Sequence, residues 1–370
     1  MKKKTAAILT EHRARNFGSC LQVYALQEYL ASRGVDVKIL DYRPRAIEES
    51  FGVFIWDLYN NAKHNVKDLI SFFIKTIVFA PQRYKREQNF KQFRDQYFKL
   101  SDKSYDDESI YQMNEQFDYY FYGSDQIWNP VITQGLNKAY FADMFSKDAI
   151  HASYAASIGL DHLNNQEEEF KKYLKNFNYF SVREETAKEL LSPLTDKDIE
   201  IVLDPTLLVD KNTWEAMVHK TNQKEKFILV YSLKVDDNLI EYTKKLSKEK
   251  NMKVIFFDLK KRYGNNCESD FSANPADFVS YLNDANYVVT NSFHGTVFSI
   301  IFKKQFICVP MAKTSSRMLD LLKKLGLSHR VIDNCKNIDE SIDYTEVDSK
   351  LDSLRESSRN YISKVLNNNE

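Results

Sequence analysis

The start of the chain alternates short apolar runs with an amphipathic one. Thr5–Leu9 (TAAIL) is apolar and short enough for a buried strand, and Asn16-Phe17-Gly18-Ser19 is a polar loop. Leu21, Ala25, Leu26 and Leu30 then recur at helical spacing until Gly34 ends the helix, and Val35–Leu40 is apolar again. Strand, loop, helix, strand in this order is a βαβ unit, which makes the two strands parallel. In a parallel sheet the loops after the strands collect at one edge, together with the helix N-termini, and ligands bind there.

The same rhythm returns further along. Strands are predicted at Phe117–Tyr122, His151–Ala156, Tyr179–Val182 and Ile201–Leu203, with helices at Glu167–Leu174 and from Glu184. Residues 209–226 are polar and mark a boundary, dividing the chain into 1–215 and 216–370. The second half predicts strands at Phe227–Tyr231, Lys253–Phe257, Tyr287–Thr290 and Gln305–Val309. Its helices are Asp237–Glu249, Asp277–Leu282, His294–Phe302, one from Arg317, and a last one near Leu351–Leu366. The fold class is therefore α/β, with two Rossmann-like domains. Residues 45–115 break the rhythm. Phe51–Tyr59 and Val66–Val78 read as aromatic, amphipathic helices, and Tyr84–Phe98 is basic and aromatic. This is a helical insertion over the first domain, or a face for a membrane surface or an acceptor.

Composition narrows the classes. The 370 residues are enough for two cores, and 43% of them are apolar. The 52 basic and 52 acidic residues cancel, so there is no overall field for nucleic acid. The N-terminal apolar run is too short for a signal peptide, and Leu69–Ala80, which contains Lys75, is too short for a membrane span. Cys20, Cys267, Cys308 and Cys335 are far apart and form no CxxC pair, which excludes a disulfide framework or zinc site and suits a reduced cytoplasmic protein. No HExxH, Walker A or GxSxG motif is present, and no spaced set of acids calls for a metal. Nothing sets an oligomeric state.

Candidate chemistry lies where strands end. Thr290-Asn291-Ser292-Phe293-His294-Gly295-Thr296 joins a buried strand to a helix. Ser292, Gly295 and Thr296 at such a turn can present backbone N–H groups and the helix dipole to an anion. Gly295 permits close approach of the ligand. His294 can donate a proton, contact phosphate, or be a buried structural histidine. Arg183 follows the strand YFSV and can clamp a carboxylate or phosphate, or pair with the acids beside it. Ser181 can cap the following helix. Asn16, Gly18 and Gln22 suit a polar ligand or a structural turn. With one glycine where the dinucleotide fingerprint has three, a nicotinamide cofactor is disfavoured. In Gly123-Ser124-Asp125-Gln126-Ile127-Trp128-Asn129, Asp125 can accept protons from sugar hydroxyls. Trp128 can stack on a sugar or plug the core. Asp204, before Pro205, is a strand-end acid or a turn former. Lys313 can neutralise a phosphate or carboxylate, with Arg317 as its competitor.

Together these segments resemble the polysaccharide pyruvyl transferase family. The Asn16–Gly18 turn, GSDQIWN, ASYAASIG, SVRE, VLDPTLL and TNSFHG occur in the family's order over roughly residues 5 to 325. The resemblance implies a two-domain, glycosyltransferase-B-like fold around a cleft, with the acceptor on the first domain and the donor on the second. It also implies that the last helix crosses back to the first domain. The implied reaction moves pyruvate from phosphoenolpyruvate, a donor substrate and not a cofactor, onto two hydroxyls of a sugar. The acceptor would be a sugar or lipid-linked oligosaccharide of a bacterial capsule or exopolysaccharide. The protein would work in the cytoplasm, with room for peripheral contact at the inner face of the membrane. By the same resemblance Arg183 holds the donor, His294 is the acid or phosphate contact, and Lys313 matches a later lysine. Many relatives carry Arg two residues before the histidine, where this chain has Ser292. The alternatives are a nucleotide-sugar glycosyltransferase and a non-catalytic glycan-binding component of capsule assembly.

Overall fold

A computed structural model describes residues 3–51, 65–143, 148–234, 236–259, 262–311, 316–335 and 337–367. Beyond Phe51, the helix predicted over Phe51–Tyr59 lies outside these residues, and so does Lys313. The chain forms two compact units, Met1–Val209 with Ser357–Glu370, and Asp210–Glu356.

The first unit is a parallel sheet of β1 (Thr5–Leu9), β2 (Asp36–Tyr42), β3 (Leu100–Tyr105), β4 (Tyr119–Tyr122) and β5 (Ile150–Ser153), in the order β3-β2-β1-β4-β5. A parallel pair, β6 (Phe180–Val182) and β7 (Ile199–Ile201), meets the end of β5 through the bridges Ala152–Tyr179 and Ala156–Val182. The central strands are buried along nearly their whole length, as strands covered on both faces must be. β3 went unpredicted because its sequence, LSDKSY, has an exposed polar middle. It pairs only with β2, and an edge strand needs no apolar face on its open side.

Helix α1 (Phe17–Ser32) starts at Asn16, whose side chain accepts from the N–H groups of Gly18 and Ser19. After α2 (Arg45–Phe51), the segments Val66–Val78 and Tyr84–Phe98 prove to form one helix, α3 (Val66–Tyr97), of 32 residues with Pro81 inside it. Proline removes one hydrogen bond of the ladder. The half after Pro81 is held by tertiary contacts: Phe90 and Phe93 are buried, and Phe90 stacks on Phe17 at 5.6 Å. Helices α4 (Glu167–Leu174), α5 (Glu185–Leu191) and the short α6 (Pro205–Leu208) follow.

After α7 (Lys211–Glu215), the second unit repeats the plan. Its strands are β8 (Phe227–Tyr231), β9 (Lys253–Phe256), β10 (Cys267–Ser269), β11 (Tyr287–Thr290) and β12 (Gln305–Cys308). All run parallel in the order β10-β9-β8-β11-β12. Its helices are α8 (Asp237–Lys250), α9 (Pro275–Asp284), α10 (Phe293–Ile301) and α11 (Ser316–Lys324). Both halves are thus Rossmann-like.

The last helix, α12 (Tyr344–Leu366), ends in the first unit. There Tyr361, Ile362 and Val365 are buried, the Tyr361 hydroxyl donates to the Ser153 carbonyl at 2.7 Å, and Ser358 Oγ accepts from the Leu203 N–H at 2.9 Å. Removing the Ile362 side chain leaves a cavity that this packing cannot refill. Ile362→Ala should lower unfolding free energy by about 2–5 kcal/mol in urea titration; a loss under about 0.5 kcal/mol would mean that the end of α12 is not part of that core.

Candidate functional site

In each unit the strand order reverses beside the first strand, between β1 and β4 and between β8 and β11. Connections leave such a point in opposite directions and open a crevice at the strands' carboxyl ends. In the first unit that crevice is a pocket of about 410 Å³. Glu11, Asn16 and Ser19 reach it from the β1–α1 connection, and Asp125, Gln126 and Gln134 from the segment after β4.

Asp125 is the most constrained of these. Its φ is +75°, in the left-handed region that non-glycine residues seldom occupy. Its carboxylate is held from two sides. Ser19 Oγ donates to Oδ2 at 2.5 Å, and Arg183 Nη2 lies 3.5 Å from Oδ1. The preceding Gly123 has φ +111°, and a Cβ there would sit 2.6 Å from the Tyr154 carbonyl oxygen, so only glycine fits. Ser124 ties the turn down further: its N–H donates to Gln22 Oε1 at 3.1 Å and its carbonyl accepts from Thr10 Oγ1 at 2.7 Å.

Behind Asp125 lies a buried ion network. Arg183 Nη1 donates to Asp204 Oδ2 at 2.5 Å, with the Asp204 side chain fully buried. The other Asp204 oxygen caps α6 through the Thr206 N–H and hydroxyl. Burial works against the guanidinium's charge, but Asp204, Asp125 and Glu184 outweigh it and raise its pKa, so Arg183 stays cationic. Glu184 is itself engaged, with one oxygen accepting from Ser157 Oγ and the N–H groups of Ile158 and Gly159.

This geometry corrects several expectations. Arg183 is buried, and besides the neighbouring Glu184 it pairs with the distant acids Asp204 and Asp125. Among the described residues, the pocket beside it is lined by Glu11 and Asp125, by the polar Asn16, Ser19, Gln126 and Gln134, and by apolar residues such as Ile47 and Ile132. Such a lining suits the hydroxyls of a neutral ligand. Gln22 is fully buried and bridges Thr10 Oγ1, the Ser19 carbonyl and Ser124. The Gly18 N–H is taken by Asn16 in the helix cap. Trp128 is a core plug, buried against Phe141 at 5.4 Å with its indole N–H on the Tyr140 carbonyl. Ser181 pairs with Ser153 across the strands and caps no helix.

Sequence reasoning missed Glu11 and His12, although TEHR directly after the first strand was the signal. His12 is buried, with Nε2 3.0 Å from Asp41 Oδ1. Burial pulls its pKa below the ordinary imidazole value, against the pull of Asp41. Burial would raise Asp41, but hydrogen bonds from His12 and Arg43 outweigh it and hold the carboxyl well below its usual range. The pair fixes the β1–α1 connection from behind, while Glu11 faces the pocket.

In the second unit, hydrogen bonds build the turn after β11. Asn291 Oδ1 accepts from the Leu233 N–H at 2.8 Å, and its Nδ2 donates to the Lys234 carbonyl at 3.0 Å, which ties the ends of β8 and β11 together. Ser292 is the N-cap of α10 and accepts from the Gly295 N–H. A Cβ at Gly295 would lie 2.2 Å from Thr290 Oγ1, so this glycine serves close packing of helix on strand and not ligand approach. The buried Thr296 hydroxyl bonds to the Ser292 carbonyl and contacts Cys308 Sγ. Ser292, Gly295 and Thr296 are therefore spent on the turn. His294 follows the cap, its ring edge-on to Phe293 at 5.2 Å, and the Arg317 guanidinium lies 6.0 Å from the Phe293 ring centre. Arg317, the weaker sequence candidate, is thus a cation that the described residues place beside the histidine turn.

The buried network can be tested by imbalance. Arg183→Met strands Asp204 and Asp125 without their cation and should cost about 3–5 kcal/mol in chemical unfolding. Adding Asp204→Asn, which keeps the helix cap and removes a charge, should recover part of that loss; a second substitution that adds its own full penalty would argue against the coupling.

The family model for polysaccharide pyruvyl transferase matches residues 16–311. No curated protein matches the chain. Among solved structures, the chain is similar to a UDP-N-acetylglucosamine 2-epimerase, at 12% identity and TM-score 0.49, covering 99% of this chain and 96% of that one. It is similar to the UDP-GlcNAc 2-epimerase of Methanocaldococcus jannaschii, at 11% identity and TM-score 0.46, covering 95% and 92%. It is also similar to MurG of Acinetobacter baumannii, at 7% identity and TM-score 0.39, covering 98% and 99%.

Proposed function

The chain belongs to the polysaccharide pyruvyl transferase family and is a transferase, and from that premise we propose that it moves pyruvate from phosphoenolpyruvate onto two hydroxyls of a cell-surface sugar or its lipid-linked precursor. The observation that carries this reading is the contrast in charge between the two switch points. The first-unit pocket is lined by two carboxylates and amide side chains, which suits a neutral polyol. The second-unit turn puts an imidazole and the Arg317 guanidinium near a helix N-terminus, which suits an anion. Acceptor and donor are divided accordingly.

The chemistry follows from the donor. His294 gives a proton to the methylene carbon of the enol, which becomes a methyl group while positive character builds on the neighbouring carbon. A sugar hydroxyl attacks that carbon and its proton passes to Asp125. The carbon–oxygen bond to phosphate breaks, and the second hydroxyl closes the ketal and yields its proton to the departing phosphate. Ser19 and Arg183 hold the Asp125 carboxyl in place, so Arg183 enters as a positioning residue. Lys313, outside the described residues, keeps its proposed role as a donor contact by resemblance.

Phosphate release from phosphoenolpyruvate with a panel of sugar acceptors tests the reaction. No release with any acceptor, including lipid-linked ones, would overturn the donor assignment. His294→Ala should cut turnover roughly 100-fold or more while donor binding survives in part. Loss of donor binding in titration would make His294 a phosphate anchor, and near-wild-type turnover and binding would remove it from the site. Asp125→Asn should lower turnover on a similar scale and leave phosphoenolpyruvate affinity unchanged.

A further inference from the structure

α3 is apolar on two opposite sides. One side faces the unit, through Phe72, Phe90, Phe93 and Arg94. The other is open: Val66, Ile70, Phe73, Ile74, Ile77, Val78 and Tyr84 are 44–73% exposed. At about 100° per residue these seven fall in one sector of roughly 140°, centred nearly opposite the buried set. Isolated exposed apolar side chains are ordinary, but a continuous stripe along five turns marks an interaction surface.

Charge selects the occupant. Over the whole chain charges cancel, yet residues 69–86 hold Lys75, Arg83, Lys85 and Arg86 and no acid. Arg86 turns inward over the rings of Phe17 and Phe90. Lys67, Lys75 and Lys85 are exposed; at about 100° per residue Lys67 and Lys85 fall just inside one margin of that sector, and Lys75 lies roughly 60° beyond the same margin. Of the nearest acids, Glu87 is paired with Arg15 and Arg94, and Asp68 lies at the start of the helix. Lysine stems can lie along an apolar surface with the ammonium groups at its margin. A second copy docking stripe to stripe would bring the same cations together. No described helix is long and apolar enough to cross a membrane.

We propose that the outward face of α3, residues 66–84, lies in the interface of an anionic phospholipid bilayer, with its apolar stripe among the acyl chains and its lysines at the phosphates. The inference stands on the helix alone and not on the reaction. Its test is sedimentation of the full chain with vesicles of phosphatidylcholine, alone or containing phosphatidylglycerol. The chain should sediment with the anionic vesicles, less at high salt, and weakly with neutral ones. Ile74→Asp with Ile77→Asp should reduce binding to background with the unfolding midpoint unchanged, since both sites are exposed. Lys75→Gln with Lys85→Gln should weaken partitioning roughly 25-fold. Failure to bind anionic vesicles, equal binding to neutral ones, or binding unaffected by the aspartates would overturn the proposal. So would a dimer in size-exclusion chromatography that the aspartates dissociate, which would make the stripe a contact between copies of the chain.

Discussion

A guanidinium buried in a sheet protein is tolerable only if acids surround it, and in the first unit Arg183 sets that condition. It requires Asp204, which also caps α6, and it draws on Asp125, which faces the pocket. Ser19 holds Asp125 from α1, and Gln22 on the same helix accepts from the Ser124 N–H of the same turn. The ends of β4 and β6, the start of α1 and the start of α6 therefore share one set of charges and hydrogen bonds. None of these groups can be lost singly without stranding another in a medium that does not solvate it. The strained backbone at Asp125 persists because so many contacts determine it.

The two units use one strand order for different chemistry. In the first, the switch point gathers carboxylates and amides around a pocket. In the second, Asn291 and Thr290 knit the strand ends together, and the histidine turn stands beside a cation. The architecture supplies the position, a crevice at the carboxyl ends of strands, and the loop residues supply the charge.

α3 shows the same economy. Its last turns are anchored by aromatic packing on α1, and its earlier turns carry the exposed apolar face. An apolar stripe exposed to solvent is unfavourable in water, and beside a local excess of positive charge it fits the bilayer surface proposed for it.

Periodicity alone determined much of this protein. Buried parallel strands are apolar throughout and α4 keeps one apolar side, so β1, β8, β11 and α4 were readable from local pattern; α1, buried nearly all round, was readable from the helical spacing of Leu21, Ala25, Leu26 and Leu30. β3 was not, because an edge strand needs no such pattern. The order of motifs carried the family, and the strand ends pointed to Asn16, Asp125 and His294. What local sequence could not contain was the partner of each polar group. Arg183 pairs with Asp204, 21 residues away, and with Asp125, 58 away; Gly295 answers Thr290; Trp128 fills the core. Whether a charged side chain meets a ligand or another residue depends on which distant segments the sheet brings beside it, and only the tertiary structure decides that.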